Sequence, residues 1–301
     1  MKETYIQKAA EVYEEIQKEH PQATEEAVIK ILCSASHFPY EQCLEECLEK
    51  RDWNGLNNLL YQENKRQLLP VSNSGYDHCS MFLPALAAIA TGDMETLERI
   101  LPQSIGESKN GYPFYIVGTN MLLALWYRDP KLLEKTLPKA EKFAAGKKSQ
   151  WERASIAYLT ALAKNDIADA GGQLQTACQA YRKTDFAPYY KRLCVSSHGL
   201  YRLAFELLGE EAGKIPMPEY KNFSKEYAAW KNEKKEQLSL YFTYPEPLTV
   251  LNKIYLQPAA VCEITQPNKD SDNPYMSKQE KNEWCMDSEH MLDEFLKDLK
   301  A

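Results

Sequence analysis

Apolar residues recur along this chain at helical spacing, and around three aspartates the same spacing is repeated. Leucine, isoleucine or alanine stands seven and four residues before each of Asp93, Asp129 and Asp166, and again four and eight residues after it. Each repeat therefore predicts an apolar helix, a short polar turn at the aspartate and a second amphipathic helix. A period of about 36 residues with this layout is typical of stacked helical hairpins.

A degenerate fourth copy of the repeat is centred on Asp52, within residues 40–69. Its apolar positions match except for the one seven residues before the aspartate, where Glu45 stands. An aspartate between two helices can accept a hydrogen bond from an unpaired amide in the first turn of the second helix. We therefore interpret the repeated aspartates as helix caps and not as catalytic residues.

The chain on either side of the repeats is also predicted to be mostly helical. Further helices are expected over 3–19, after Thr24, after Pro39, over 188–209 and around 223–230. The only plausible β material lies in 238–265, where two prolines interrupt one segment and a helix over 248–255 fits equally well. A loop over 266–278 and an acidic helix over 278–300 complete the chain.

These elements predict an all-α protein, an array of antiparallel helical hairpins resembling a TPR-like α-solenoid or a helical bundle, with an irregular C-terminal extension. Only 12 glycines are present, and no long segment alternates with a period of two, so a sheet is disfavoured. We predict a helical repeat domain over 1–235 and an extension over 236–301 packed on the same body. A single domain over the whole chain is the alternative.

Composition and charge narrow the class of partner. With 43 acidic and 36 basic residues the net charge is −7, which argues against nucleic acid and is compatible with a basic protein partner. The charge can equally serve solubility alone. The first residues lack the apolar stretch of a signal peptide, and the longest apolar stretch, Met81–Ala90, is too short to span a membrane. Together with eight cysteines that form no CxxC pair, this predicts a cytoplasmic protein.

Candidate chemistry is sparse in this sequence. Cys43 and Cys47 share a helix face, but His37 is the only nearby further metal ligand, so we interpret these cysteines as buried apolar residues. Asp77, His78 and Cys79 are adjacent in sequence and project in different directions, so they are not expected to form a catalytic relay. His198 lies in an apolar helix, where a packed core histidine is the favoured interpretation. We therefore predict no catalytic, cofactor-binding or metal-binding residue, and no enzyme.

Aromatic residues are the remaining signal. The chain has 19 tyrosines and 5 tryptophans, residue types that dominate protein interfaces but that also fill the core of helical repeats. Those that follow proline or glycine in loops are the best candidates for exposure. The predicted partner-binding residues are Tyr112, Phe114, Tyr115, Tyr189, Tyr190 and Tyr244.

Three segments resemble a known protein family. They read FLPALAAIATGDMETLERIL, MLLALWYRDPKLLEKTLPKAEKF and SSHGLYRLAFELLGEEAGKIPMPEY. Helical repeats with turns of a small residue, glycine and aspartate, followed by an HGLYRLA-like helix and a proline linker, are similar to immunity protein 49 of bacterial polymorphic toxin systems, over about residues 40–235. The resemblance implies a cytosolic antidote that binds and blocks a cognate toxin without catalysis. It implies no fixed functional residues.

Two functions follow as hypotheses. The first is an immunity protein that neutralises a cognate toxin by direct binding, its partner being a basic toxin domain; neither nucleic acid nor membrane is expected as a partner. The alternative is a TPR-like adaptor or regulator that holds a peptide or protein in a concave groove. Such a groove needs polar clamp residues on its inner helices, and Asn120 stands at a suitable position. An enzyme with a helical fold is a third, less favoured hypothesis.

Overall fold

A computed structural model describes residues 2–34, 39–70, 75–233 and 238–300 of the chain. The protein is 67% helical, which confirms the predicted all-α class. The fifteen α-helices found in the described ranges are α1 Lys2–Glu19, α2 Glu25–Ser34, α3 Tyr40–Lys50, α4 Trp53–Gln67, α5 Phe82–Thr91, α6 Met94–Ile100, α7 Pro113–Trp126, α8 Pro130–Ala144, α9 Gln150–Ala163, α10 Ile167–Tyr181, α11 Val195–Leu208, α12 Lys225–Glu233, α13 Thr249–Leu256, α14 Lys278–Lys281 and α15 Ser288–Lys300. Two short strands, β1 Ile264–Thr265 and β2 Cys285–Met286, pair antiparallel. No helix in these ranges is both long and apolar enough to cross a membrane.

Four helix-to-helix corners share one backbone conformation. The residue before each repeated aspartate has a left-handed φ, between 51° and 81°. Each aspartate amide then donates to the carbonyl five residues earlier at 2.9 Å, which closes the first helix. Each aspartate side chain accepts from an amide in the first turn of the next helix, at 2.8 to 3.1 Å. The corners are centred on Asp52, Asp93, Asp129 and Asp166, so the predicted caps and the fourth repeat are confirmed.

Contacts divide the chain into two compact units. Unit 1 comprises Met1–Ser72, Glu236–Val261 and Ser288–Ala301, and unit 2 comprises Asn73–Lys235 and Cys262–Asp287. This grouping differs from the predicted division at residue 235, because the last part of the chain contributes to both units. In unit 1 the Gln257 side chain donates to the Phe295 carbonyl at 2.8 Å. In unit 2 the Met286 amide donates to the Tyr76 carbonyl at 2.9 Å.

In unit 1, helix α4 holds the segment over 239–242 by means of amide side chains. Asn58 and Gln62, one turn apart, each pair with a residue of that segment through both a donor and an acceptor. The two bonds of Gln62 to the Phe242 backbone are 2.9 and 3.0 Å long. The segment therefore satisfies backbone groups without a second strand. Part of the predicted β region is therefore held in place without joining a sheet, while its alternative, a helix near 248–255, is observed as α13.

In unit 2, helix α11 packs directly on α5. Gly199 lies so close to α5 that a Cβ atom there would stand 2.1 Å from the Leu86 carbonyl oxygen. The helix predicted from Pro188 begins only at Val195; residues 188–192 form a 3-10 turn instead. The reason is tertiary: the Cys194 amide donates to the Asn222 carbonyl at 2.7 Å, and Leu193 is extended.

The predicted C-terminal helix over 278–300 is also interrupted. Residues 278–281 form the single turn α14, β2 follows, and α15 begins at Ser288. Strand β2 pairs with β1 so that Met286 lies opposite Ile264. The Asp287 amide donates to the Glu263 carbonyl at 2.9 Å, so the backbone pairing continues just beyond the paired ends of β1 and β2. These backbone bonds between distant segments replace the helical bonds expected there.

Candidate functional site

A continuous row of aromatic rings runs through unit 2 from the start of α7 to the loop after α10. The ring of Phe114 lies 5.4 Å from Phe82 and 5.0 Å from Trp151, measured between centroids. Trp151 in turn lies 5.4 Å from Phe186 and 5.6 Å from Tyr181. Such tilted and edge-on pairs at these distances stabilise beyond the area they bury. The row fixes the first turns of α7 and α9 against the end of α10.

An open cleft of about 510 Å³ lies at the outer end of this row. It is formed by the start of α7, the start of α9 and residues 180–186. Its walls combine aromatic rings with two carboxylates, and the main lining residues are Tyr112, Tyr115, Trp151, Glu152, Asp185 and Phe186. A cleft of this size and composition is suited to binding a side chain or a short peptide segment.

One wall of the cleft is held by the capping box of α9. The Ser149 hydroxyl accepts from the Glu152 amide at 3.3 Å, and the Glu152 carboxylate accepts from the Ser149 amide at 3.2 Å. The Tyr112 hydroxyl donates to the same carboxylate; burial and this acceptor together raise the pKa of Tyr112. The capping box thus orients Glu152, and Glu152 orients the Tyr112 ring.

The charges around the cleft are of both signs. The ammonium of Lys148 lies 4.9 Å from the centre of the Tyr112 ring, in the position of a cation–π contact. Asp185 is exposed, and among the described residues its carboxylate has neither a hydrogen bond nor an ion pair. Lys183 also lines the cleft. The site therefore presents an unpaired carboxylate beside aromatic faces.

The structure brings together only some of the predicted partner-binding residues. Tyr112 and Tyr115 are half-buried and lie 5.8 Å apart in the cleft wall. Phe114 and Tyr244 are 1% and 2% exposed, so the exposure expected of them is wrong. Phe114 points into the aromatic row because it lies in the first turn of helix α7, on the buried face of that helix.

Tyr244 and the Tyr189–Tyr190 pair lie outside the cleft. Tyr244 packs against Phe242 in unit 1, and its backbone amide and carbonyl both bond the Asn252 side chain at 2.8 Å. Tyr189 and Tyr190 are half-buried in the turn at 188–192, with their rings 4.3 Å apart. Tyr189 and Tyr190 therefore do not line the cleft that Tyr112 and Tyr115 help to form.

Sequence analysis identified only Tyr112 and Tyr115 among the six main lining residues of the cleft. Trp151, Glu152, Asp185 and Phe186 were not among the predicted contact residues. A signal existed for Trp151, which directly follows the polar loop over 144–150 just as Tyr112 follows the loop over 102–111. No comparable pattern marks Asp185 and Phe186, because their place in the wall depends on how α10 packs against α9.

Other polar residues singled out in the sequence are engaged inside unit 2. The Asn120 side chain bonds the Ser108 amide and carbonyl at 2.8 and 3.0 Å, and Asn120 is 2% exposed, so it cannot clamp a peptide. The Cys79 thiol has a pKa raised to about 12, chiefly by burial and then by the nearby Asp77 carboxylate. Such a thiol stays protonated near neutral pH.

Cys43 and Cys47 are buried in α3, while His37 lies outside the described residues. In the described ranges, no group of three or more His, Cys, Asp or Glu side chains is arranged to hold a metal ion.

His198 is a packed histidine in α11. Its ring stacks on Phe223 with the centroids 4.1 Å apart, and its Nε2 accepts from the Ser224 amide at 3.2 Å. Burial lowers the pKa of His198 to about 3. The ring is therefore neutral in the folded protein, with the remaining proton on Nδ1.

This burial predicts a loss of stability in acid. The unfolded chain protonates His198 below about pH 6.5, whereas the folded chain does so only near pH 3, so the free energy of unfolding falls as the pH drops between these values. We expect His198→Gln, which keeps an acceptor oxygen for Ser224, to reduce the loss between pH 7 and about pH 5 by about 2 kcal/mol. Urea denaturation at both pH values measures the free energy of unfolding and therefore this difference. The exposed His20 supplies the control His20→Gln; an equal pH dependence in the two variants would contradict the prediction.

In a comparison with known proteins, no family model, no curated protein and no solved structure matches this chain.

Proposed function

We propose that this protein binds another protein through the aromatic cleft of unit 2 and that it acts as a cytoplasmic immunity protein, neutralising a cognate bacterial toxin without catalysis. The observation that carries the binding role is the cleft itself. Tyrosine, tryptophan and charged side chains converge there on a volume of about 510 Å³. These residue types supply most of the energy of protein interfaces when they lie in a preformed recess.

The choice of a toxin as partner rests on the sequence. The repeats over about 40–235 resemble immunity protein 49, and the net charge of −7 complements a basic toxin domain. Opposite net charges accelerate encounter, which an antidote needs because free toxin is harmful. The three capped corners of unit 2, at Asp93, Asp129 and Asp166, support this role by holding the helices of that unit in a defined arrangement.

An adaptor that holds a peptide is the alternative function. The same cleft favours it, because it is open and has aromatic walls. The polar clamp expected of a TPR-like groove is not supplied by Asn120, whose amide is committed to Ser108. The two functions differ in their partner and not in the use of the cleft.

Co-expression tests the proposed function. We expect this chain to restore growth of cells that express the toxin domain encoded in the neighbouring reading frame, and the two proteins to co-purify. The double variant Tyr115→Ala/Asp185→Ala is expected to weaken the complex by about a hundredfold, as for loss of two interface anchors. The matched control replaces Tyr275, which is 94% exposed and does not line the cleft, together with Asp272. Absence of both rescue and co-purification with the unmodified chain would refute the proposal.

A further inference from the structure

We infer that the cleft recognises an arginine side chain of the protein partner, with the guanidinium over the Tyr112 ring and paired with the Asp185 carboxylate. This inference rests on the proposed function, since it specifies what the cleft of that interface binds. It is based on three features of the described residues: a cation already at the ring, a free carboxylate in the wall, and a helix terminus whose dipole is already compensated.

The first feature is the position of Lys148. Its ammonium lies 4.9 Å from the Tyr112 ring centre, while its own backbone carbonyl accepts from Arg153 at 3.1 Å. The Tyr112 face is thus attractive to a cation in the protein as it stands. Lysine at this site is a solvated point charge on a flexible stem, whereas a guanidinium is flat, more weakly hydrated and stacks on aromatic faces. An incoming arginine can therefore displace Lys148 from the ring.

The second feature is the unpaired acid. Asp185 lines the cleft and, within the described part of the chain, has no ion-pair partner. A carboxylate beside an aromatic wall can accept both hydrogen bonds of an arginine fork. Glu152 contributes a second negative charge nearby, although its oxygens already accept from Ser149 and Tyr112. The lining thus carries two carboxylates and the ammonium of Lys183, and once Lys148 is displaced from the Tyr112 ring the two carboxylates outnumber that ammonium.

The third feature argues against an anionic ligand. The cleft contains the N-terminus of α9, which on its own would favour a phosphate or a carboxylate. Here the carboxylate of Glu152 already occupies that position through the capping box. A second anion at this terminus would meet the Glu152 carboxylate, so the helix N-terminus does not favour an anionic ligand here.

Peptide binding to the full-length protein tests the inference. We would measure fluorescence anisotropy of labelled tetrapeptides of arginine, of its neutral isostere citrulline, and of glutamate. We expect the arginine peptide to bind about tenfold more tightly than the citrulline peptide, and the glutamate peptide not to bind. Asp185→Asn should weaken arginine binding about fivefold, whereas Asp272→Asn, the same charge change at an exposed loop residue, should leave it unchanged. Lys148→Ala should strengthen binding about threefold by freeing the ring, and Lys147→Ala should not.

The outcomes separate this inference from the proposed function. Equal binding of arginine and citrulline, or equal effects of Asp185→Asn and Asp272→Asn, would overturn the arginine site even if the toxin co-purifies. Arginine selectivity that depends on Asp185 and Lys148 would support the site even if no toxin is bound, in which case only the proposed function fails. Circular dichroism of each variant identifies any that fails to fold. In that case Tyr112→Phe serves as a conservative variant, because it keeps the ring and loses only the hydroxyl. We expect it to retain arginine selectivity.

Discussion

Replacing Gly199 by alanine is expected to destabilise unit 2 by about 3 kcal/mol, at the upper end of overpacking effects. The added methyl group would stand 2.1 Å from the carbonyl oxygen of Leu86 and 2.7 Å from its carbonyl carbon. Both are backbone atoms of α5, so no side-chain rotation relieves the overlap. The two helices must move apart. The buried residues Leu86, Leu200 and Leu203 then lose packing contacts between the helices.

A second helical glycine provides the control for this experiment. Gly172 lies in α10, is exposed, and has no atom within 4 Å of the position of an added Cβ. There the same substitution should stabilise by about 0.5–1 kcal/mol, because alanine lowers the entropy of the unfolded chain. Urea denaturation followed by tryptophan fluorescence measures both, since four of the five tryptophans lie in unit 2. Effects of the same sign would contradict the close approach of α11 and α5.

Replacing Asp77 by asparagine is expected to destabilise unit 2 by about 4 kcal/mol, as for a broken buried hydrogen-bond network. Asp77 is 1% exposed, and four donors converge on its carboxylate. One oxygen accepts from the Cys79 amide at 2.9 Å and the Ser108 hydroxyl at 2.7 Å. The other accepts from two consecutive amides, Lys109 at 2.6 Å and Asn110 at 2.8 Å. An asparagine has only one acceptor oxygen, so its NH₂ group would face two donors.

The matched control is the same substitution at a helix cap. Asp129 accepts from two amides at the start of α8 through a single oxygen, and asparagine is as good a cap as aspartate. Asp129→Asn should therefore cost less than about 0.5 kcal/mol. Denaturation midpoints of the two variants, each compared with that of the unmodified protein, measure the two losses of stability. A loss for Asp77→Asn no greater than that for Asp129→Asn would show that the loop over 107–111 is not held by this carboxylate.

The comparison of these two aspartates also shows how far sequence reasoning reaches. Asp129 belongs to a repeat, its cap bonds run to residues two and three positions ahead, and its role follows from local sequence alone. Asp77 stands next to His78 and Cys79, and the sequence excludes a catalytic relay of these three residues without showing what Asp77 does. Three of its four partners lie 31 to 33 residues further along the chain, so no local pattern shows that it anchors a loop.

The candidate site likewise contains residues whose position follows from local sequence and residues whose position depends on tertiary packing. Tyr112 and Tyr115 lie on one stretch of chain beside a proline, and the expectation that they are accessible contact residues follows from that stretch. The burial of Phe114 does not, because it depends on Phe82 and Trp151 from two other helices. Asp185 and Phe186 enter the cleft only because α10 packs along α9.

By itself the sequence determined the all-α class, the four hairpins and their capped corners. These depend on apolar periodicity and on hydrogen bonds between residues a few positions apart, which any sequence with this pattern forms. The tertiary structure decided the division into two units, the late start of α11, the interrupted C-terminal helix and the composition of the cleft. Each of these depends on bonds between residues far apart in the chain, such as Cys194 with Asn222 and Met286 with Tyr76, and on which aromatic faces remain open once the helices have packed.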